Sequence, residues 1–284
     1  MSGVLIIDFS QIVIGGLQSA LSGNKISVMD KDLCRHLVLN SIRSIVFKFK
    51  RDYPEVIIAC DSRHYWRKDV FPYYKAKRKK SREKSTLDWE LIFDVLDEVK
   101  RDLKDIFPYK IIEVEKAEAD DIIGTLVPRL AAYTQVLIAS SDGDFKQLHH
   151  YGKVKQYNSM LGIYVTSPNS KLELKEKILT GDSGDGIPSV LSNDDVFMLN
   201  IRQKPLTAKK KALLLELDFD DPTIDCYRNI TRNRMLIDLS MTPTNIKEKI
   251  IEEYDLDQTG SKSLIMKYFI EKRLSNLLSC IDEF

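Results

Sequence analysis

Short runs of apolar, β-branched residues punctuate the first 168 positions, separated by longer stretches whose apolar residues recur every three or four places. The runs Val4–Ile7, Val56–Ala59, Ile111–Val114, Val136–Ala139 and Val154–Tyr157 read as strands. Between them, Asp32–Lys50, Thr86–Lys104 and Ala119–Ala132 read as helices; in the first, Leu33, Leu37, Ile42, Ile45 and Phe49 share one face. Strands alternating with helices of this length predict βαβ units. The fold class expected is α/β, with a central, mostly parallel sheet flanked by helices.

After Pro168 the pattern changes. Leu172–Leu179, Ala208–Leu217, Tyr227–Leu239, Ile246–Glu253 and Leu264–Ile281 all read as helices, and no clear strand run remains. Residues 1–168 are therefore expected to form an α/β domain and residues 169–284 a helical C-terminal region packed on it. With 284 residues, 43% of them apolar and 30% charged, the chain has the composition of a soluble globular protein with a sizeable core. The four cysteines, Cys34, Cys60, Cys226 and Cys280, form no CxxC pair, which argues against zinc and disulfides and for a reducing cytoplasm. The first apolar run stops at Asp8, too early for a signal peptide, and no stretch approaches the length of a membrane span.

Charge adds more than composition, because the acids stand where strands end. Asp8 follows the first run, and Asp61 follows the second after Cys60. The third leads to Glu118, Asp120 and Asp121, and the fourth to Asp142 and Asp144. In open α/β sheets ligands bind outside the carboxyl ends of the strands. Each acid alone has a bland reading: a turn residue at Asp8, a helix N-terminus at Glu118–Asp121, an ordinary turn around Gly143. Together they would repel one another unless cations intervened, and oxygen donors without His or Cys select magnesium or manganese over zinc. A pair of such ions suits phosphodiester hydrolysis.

The net charge of +1 averages over strongly opposed segments. From Arg63 to Lys84 there are ten Lys/Arg against two acids, a net +8, interleaved with Tyr65, Trp66, Phe71, Tyr73 and Tyr74. A charge run of this kind is often only a solvated face. Stacking groups mixed with phosphate-pairing groups also suit a nucleic-acid strand, and the insert starts beside Asp61, over the proposed metal edge. The nucleic-acid-binding candidates are Arg67, Lys68, Tyr74, Lys75, Lys77, Arg78, Lys79, Lys80 and Arg82.

With these pieces placed, the chain resembles the 5′-nuclease (flap endonuclease) family, and within it the T-even bacteriophage branch. The matching segments are Leu5-Ile6-Ile7-Asp8-Phe9-Ser10, Tyr65-Trp66-Arg67-Lys68-Asp69, Tyr73-Tyr74-Lys75, Glu118-Ala119-Asp120-Asp121, Ser140-Ser141-Asp142-Gly143-Asp144-Phe145, Gly181-Asp182-Ser183-Gly184-Asp185 and Ile281-Asp282-Glu283-Phe284. The resemblance implies two Mg2+ (Mn2+ substituting). Asp8, Asp61, Glu118 and Asp120 would hold the first, and Asp142, Asp144 and Asp185 the second, with Asp120 between and Asp182 and Asp121 at outer positions. It implies a catalytic lysine at Lys75, at the foot of a basic helical arch over about 62–90, with Arg78 as its arginine partner and Arg67 as another arch cation. It implies a duplex-binding helix-three-turn-helix at about 174–199.

The activity implied is 5′→3′ exonuclease and flap endonuclease cleavage of RNA–DNA and DNA duplexes by a monomer. The products carry 5′-phosphates, and the role is removal of RNA primers during phage replication. Implied partners are a single-strand-binding protein and a sliding clamp. Two departures stand out: Gly186 replaces a frequent asparagine, and Ser189-Val190-Leu191-Ser192-Asn193 replaces a glycine-rich hairpin, which argues against potassium-assisted duplex binding. The alternatives are a PIN-type ribonuclease, which normally lacks the long arch and the Asp182–Asp185 motif, and a non-catalytic branched-nucleic-acid-binding protein, which would lack ligands.

Overall fold

Five of the six strands lie where the apolar runs are. The computed structural model describes residues 3–22, 30–85, 87–257 and 260–284, with the side chains of residues 21, 22 and 79–81 outside that description. Strands β1 (Val4–Asp8), β2 (Glu55–Cys60), β3 (Lys110–Glu113), β4 (Val136–Ala139) and β5 (Val154–Asn158) pair in parallel, and β6 (Ile163–Val165) closes a hairpin antiparallel to β5. The order is β3-β2-β1-β4-β5-β6. It reverses direction between β1 and β4, which leaves a crevice at their carboxyl ends. Asp8 ends β1, and Ser140–Asp142 follow β4, so the acids border that crevice.

The central strands β1, β2 and β4 read as unbroken apolar runs because both sheet faces are covered there. Leu5 and Ile7 face one core, with helices α1 (Phe9–Ser22), α2 (Lys31–Phe49) and α5 (Trp89–Ile106). Val4 and Ile6 face the other, with α6 (Ala119–Ala131). The α5 stripe Ile92, Val95, Leu96, Val99, Leu103 follows the helical period, and the Asp88 carboxylate caps it by accepting from the Leu91 amide at 3.0 Å. That cap places the helix start after Thr86, a residue that lies outside the described ones. The basic insert forms two short helices, α3 (Trp66–Val70) and α4 (Ala76–Glu83). A 3-10 helix, Gly143–Tyr151, follows β4.

Beyond the sheet the chain is helical: α7 (Ser170–Thr180), α8 (Ala208–Leu215), α9 (Tyr227–Ile237), α10 (Thr244–Asp255), α11 (Lys262–Glu271) and α12 (Ser275–Leu278). These helices share the cores of the sheet. Ile246 and Ile250 of α10 join the α6 side, whereas Ile265, Tyr268 and Phe269 of α11 join the α2–α5 side. A third cluster joins Phe71 and Tyr74 of the insert to Ile178 and Leu179 of α7 and Ile230 and Leu236 of α9.

Two expectations are corrected. No second helix forms within 174–199: turns lead from α7 to α8. The Asp195 carbonyl accepts from the amides of Met198 and Leu199, a single turn, and only Val196 of that turn is buried. One apolar contact does not offset the cost of nucleating a helix. The helix expected over Leu264–Ile281 is split. Arg273 takes a left-handed conformation (φ 54°), and the Leu274 amide reaches back to Phe269 O at 2.8 Å while its side chain is buried. This is a Schellman stop built without glycine. No helix among the described residues is long and apolar enough to cross a membrane.

Arg273→Gly should therefore raise stability by about 1 kcal/mol, because glycine carries no penalty at that conformation. A calorimetric scan should show a melting temperature about 2 °C higher; a fall would mean that the Arg273 side chain itself holds the break.

Candidate active site

Each acid is positioned by its own local device. Asp8 Oδ1 accepts from the Gln11 amide at 3.2 Å, at the start of α1, and Oδ2 accepts from the Ser140 hydroxyl at 2.9 Å. Asp61 Oδ1 accepts from the Ala119 amide at 2.8 Å, so it rests on the N-terminus of α6. Glu118 caps that helix and Asp121 completes the capping box, accepting from the Glu118 amide at 2.8 Å. Asp120 lies in the same first turn. Asp142 caps the 3-10 helix by accepting from the Asp144 amide at 2.9 Å.

The Asp182–Asp185 turn brings the last acids from the helical half. Asp182 Oδ1 accepts from the amides of Gly184 and Asp185 at 2.8 and 3.2 Å, and Asp185 O accepts from the Lys75 amide at 2.8 Å. Gly186 explains its departure from asparagine. Its φ is +76°, and a Cβ there would stand 3.0 Å from Tyr73 O, so a side chain would push the turn off the foot of the insert.

The cluster is electrostatically unfavourable by itself. Burial, then Asp61, pushes the Asp8 carboxyl up to about 7. Burial, then Asp142, raises Asp120 well above the usual carboxylate range. Burial raises Asp142 too, with Lys177 opposing and Asp185 adding to the shift. Burial raises Asp182, but Lys177 and the amides of Asp185 and Gly184 together outweigh it, so its carboxyl is lowered.

Three cations answer this charge. Lys75 Nζ donates to Glu118 Oε1 at 2.5 Å and lies 3.7 Å from Asp185 Oδ2; Arg78 Nη2 donates to Asp185 Oδ1 at 2.5 Å. Although burial alone would lower it, Glu118 and Asp185 hold the Lys75 ammonium above its ordinary range, so it acts as a cation and not as a base. Its backbone is left-handed at φ 55°, a strained conformation of the kind held at functional sites. Lys177 pairs with Asp144 and, at 2.9 Å, with Asp182.

Sequence reasoning missed Lys177, Ser140 and Gln156. Gln156 is buried, and its Nε2 donates to Ser140 O at 3.0 Å and Asp142 O at 2.6 Å, fixing the loop after β4. A lysine on α7 and a glutamine on β5 carry no spacing signal that would link them to these acids.

Two of the proposed strand-binding residues are corrected. Arg67 is 1% exposed; its Nη1 donates to Glu118 Oε2 and Asp121 Oδ2, both at 2.9 Å, and its Nε to Leu236 O at 2.9 Å. Tyr74 is 2% exposed, and its hydroxyl donates to Glu118 Oε2 at 3.0 Å or Asp185 Oδ2 at 3.2 Å. Both side chains are consumed in anchoring the insert. Trp66 and Phe71 are buried as well, so they offer no stacking surface; Trp66 Nε1 donates to Asp121 Oδ1 at 3.1 Å. Lys68, Lys77 and Arg82 remain exposed. They lie over the rings of Tyr65, Phe197 and Phe93 at 4.9, 4.9 and 5.3 Å. The side chains of Lys79 and Lys80 lie outside the described ones.

Among the described residues, no group of three or more His, Cys, Asp and Glu side chains stands ready around one ion position. The chemistry of the donors nevertheless fits hard divalent cations. Carboxylate oxygens, crowded enough to raise one another's pKa, are relieved by added positive charge.

A mostly parallel sheet with acids at its switch point, joined by a basic insert and a returning acidic turn, is the architecture of a phosphodiester-cleaving nuclease. The description "5'-3' exonuclease, N-terminal resolvase-like domain" fits residues 22–183, and "T4 RNase H, C terminal" fits residues 168–284. The chain belongs to the 5′-3′ exonuclease family. The ribonuclease H of Enterobacteria phage T4 is 34% identical over 299 aligned positions, spanning 99% of this chain and 96% of that protein. A 5′-3′ exonuclease of Buchnera aphidicola is 29% identical, spanning 85% and 83%. Among solved structures, T5 5′-exonuclease with bound divalent metal ions (zinc) superposes with a TM-score of 0.62 at 17% identity, over 88% of this chain and 97% of that one. The bacteriophage T5 flap endonuclease in complex with DNA and metal ions gives 0.63 at 17% identity, over 89% and 100%. At that identity the likeness is one of fold.

Arg67→Ala should destabilise the protein by about 3–5 kcal/mol, since it leaves the buried Asp121 carboxylate without its cation and Glu118 with Lys75 alone. The readout is the urea midpoint, and an unchanged midpoint would refute the anchor. In EDTA at pH 8, Asp8→Asn should instead stabilise by about 1–3 kcal/mol, because it removes a buried, repelled charge. Mg2+ should then raise the melting temperature of the wild type more than that of the variant.

Proposed function

We propose that this chain is a divalent-metal-dependent 5′→3′ exonuclease and flap endonuclease. Its substrates are RNA–DNA and DNA duplexes with 5′ ends or flaps, and its role is removal of RNA primers during phage DNA replication. The observation that carries this reading is the convergence of Glu118, from the start of α6, and Asp185, from the Asp182–Asp185 turn, on Lys75 and Arg78.

Asp8, Asp61, Glu118 and Asp120 would hold one Mg2+, and Asp142, Asp144 and Asp185 a second, with Asp120 between them and Mn2+ able to substitute. Such ions, when bound, supply activation of the attacking water and charge for the leaving oxygen. In this set Asp8, Glu118 and Asp185 already have donors on both oxygens, Glu118 from Arg67, Tyr74 and Lys75. Asp182 holds the amides of the turn that presents Asp185, and Asp121 orients Glu118 through its amide and Arg67. Lys75 and Arg78 are placed to exchange an acid for a substrate phosphate and to offset charge developing there. Lys68, Lys77 and Arg82 line the exposed side of the insert for backbone contacts. The partners implied by the family resemblance are a single-strand-binding protein and a sliding clamp.

Magnesium-dependent cleavage of 5′-labelled flap, nicked and RNA–DNA substrates is the direct test, with Asp142→Ala as the inactive control. No cleavage of any of them by the wild type would reject the reading. Lys75→Ala should lower turnover by about 100-fold or more while weakening binding far less; equal turnover would remove Lys75 from the chemistry.

A further inference from the structure

The loop that stands in place of a glycine-rich hairpin has its polar backbone turned inward. The Ser189 amide donates to Gln203 Oε1 at 2.8 Å, the Val190 amide to Leu179 O at 3.0 Å and the Ser192 amide to Ser189 O at 3.0 Å. Its carbonyls are occupied as well: Pro188 O accepts from Arg232 Nη2 and Asn233 Nδ2 at 3.0 and 2.8 Å, and Val190 O accepts from Asn229 Nδ2 at 2.7 Å. The amides of Ser189, Val190 and Ser192 are thus committed internally, as are the carbonyls of Pro188 and Val190.

The same loop carries a different kind of surface. Gln203 and the Lys204 amide, which donates to Ser192 Oγ at 3.0 Å, fasten the segment before α8 to it. From Val196 to Leu215 the chain holds five Lys/Arg and no acid, and from Met198 to Leu215 no aromatic residue. Arg202, Lys204, Lys209 and Lys210 are exposed, and among the described residues none of them forms an ion pair. Two nearby acids are spent elsewhere: Glu176 on Lys211 at 2.9 Å, and Asp194 on Arg228 and Arg232. Lys211 also ties α8 to α7, whose Lys177 reaches the acidic cluster.

We propose that Arg202, Lys204, Lys209 and Lys210 form the surface that grips the duplex arm of the substrate, replacing a backbone-amide and potassium grip. Cations without stacking rings pair with a phosphate backbone and not with unstacked bases, which favours duplex over single strand. The inference rests on the nuclease reading and names how that site holds its substrate.

The test measures binding without turnover, so failure of cleavage would leave it intact. In an Asp142→Ala background without divalent metal, all four residues are changed to Ser, and affinity is measured for a nicked duplex and a single strand of equal length across a salt series. Because the four side chains are exposed, the melting temperature should not move. The variant should bind duplex about 30-fold or more weakly, with the slope of log K against log salt reduced by about 3.6, and single strand within about two-fold of the parent. Lys209→Arg with Lys210→Arg should retain duplex binding. Unchanged duplex affinity and slope, equal losses on both substrates, or a parent duplex affinity that is lost when K+ is replaced by Na+ at matched ionic strength would each overturn the proposal.

Discussion

Arg67 is the knot on which the site depends. It leaves α3 at the base of the basic insert and is enclosed between two carboxylates at the start of α6 and a carbonyl at the end of α9. Thr242, which follows α9, reinforces the same point by donating to Asp121 Oδ1 at 2.7 Å. An ion group this deeply buried adds little net stability compared with apolar packing, yet losing one partner strands the others. Its effect is registration. It sets the foot of the insert, the first turn of α6 and the helical half in one arrangement, and Lys75 and Asp185 meet because of it.

Around that knot, the carboxylate edge balances two opposite requirements. Acids that are to share cations have to stand close together, and here burial and mutual repulsion push Asp8, Asp120 and Asp142 toward protonation. Lys75, Arg78 and Lys177 offset part of this charge. All three come from outside the sheet, two from the insert and one from α7. The sheet supplies negative charge at fixed positions, and the surrounding segments supply positive charge on side chains that can exchange partners.

The helical region follows the same division of labour. Its α10, α11 and α12 complete the two faces of the sheet, whereas α7, α9 and the loop between them carry Asp185 and back it with Asn229, Arg232 and Asn233. With the Ser189, Val190 and Ser192 amides bonded internally, that loop offers a ligand less free backbone than a glycine-rich hairpin would.

Much of this was legible in the chain. The runs of β1, β2 and β4 are uniformly apolar because both sheet faces are buried there, and the acids after the runs stand at the carboxyl edge of the sheet whatever the details of packing. The hairpin strand β6 was not legible, since Ile163 and Tyr164 are exposed and the strand is three residues long. The break at Arg273 was hidden because a non-glycine residue adopts the left-handed conformation. Among the candidate residues, local sequence determined chemical type and strand-end position, so carboxylates at the edge and cations in the insert could be named. Which cations remain free was decided only in three dimensions. Arg67 and Lys68 are neighbours of the same charge. One is buried against Glu118 and Asp121 and the other is exposed over Tyr65, because burial of a charge depends on partners that arrive from 51 and 54 positions away.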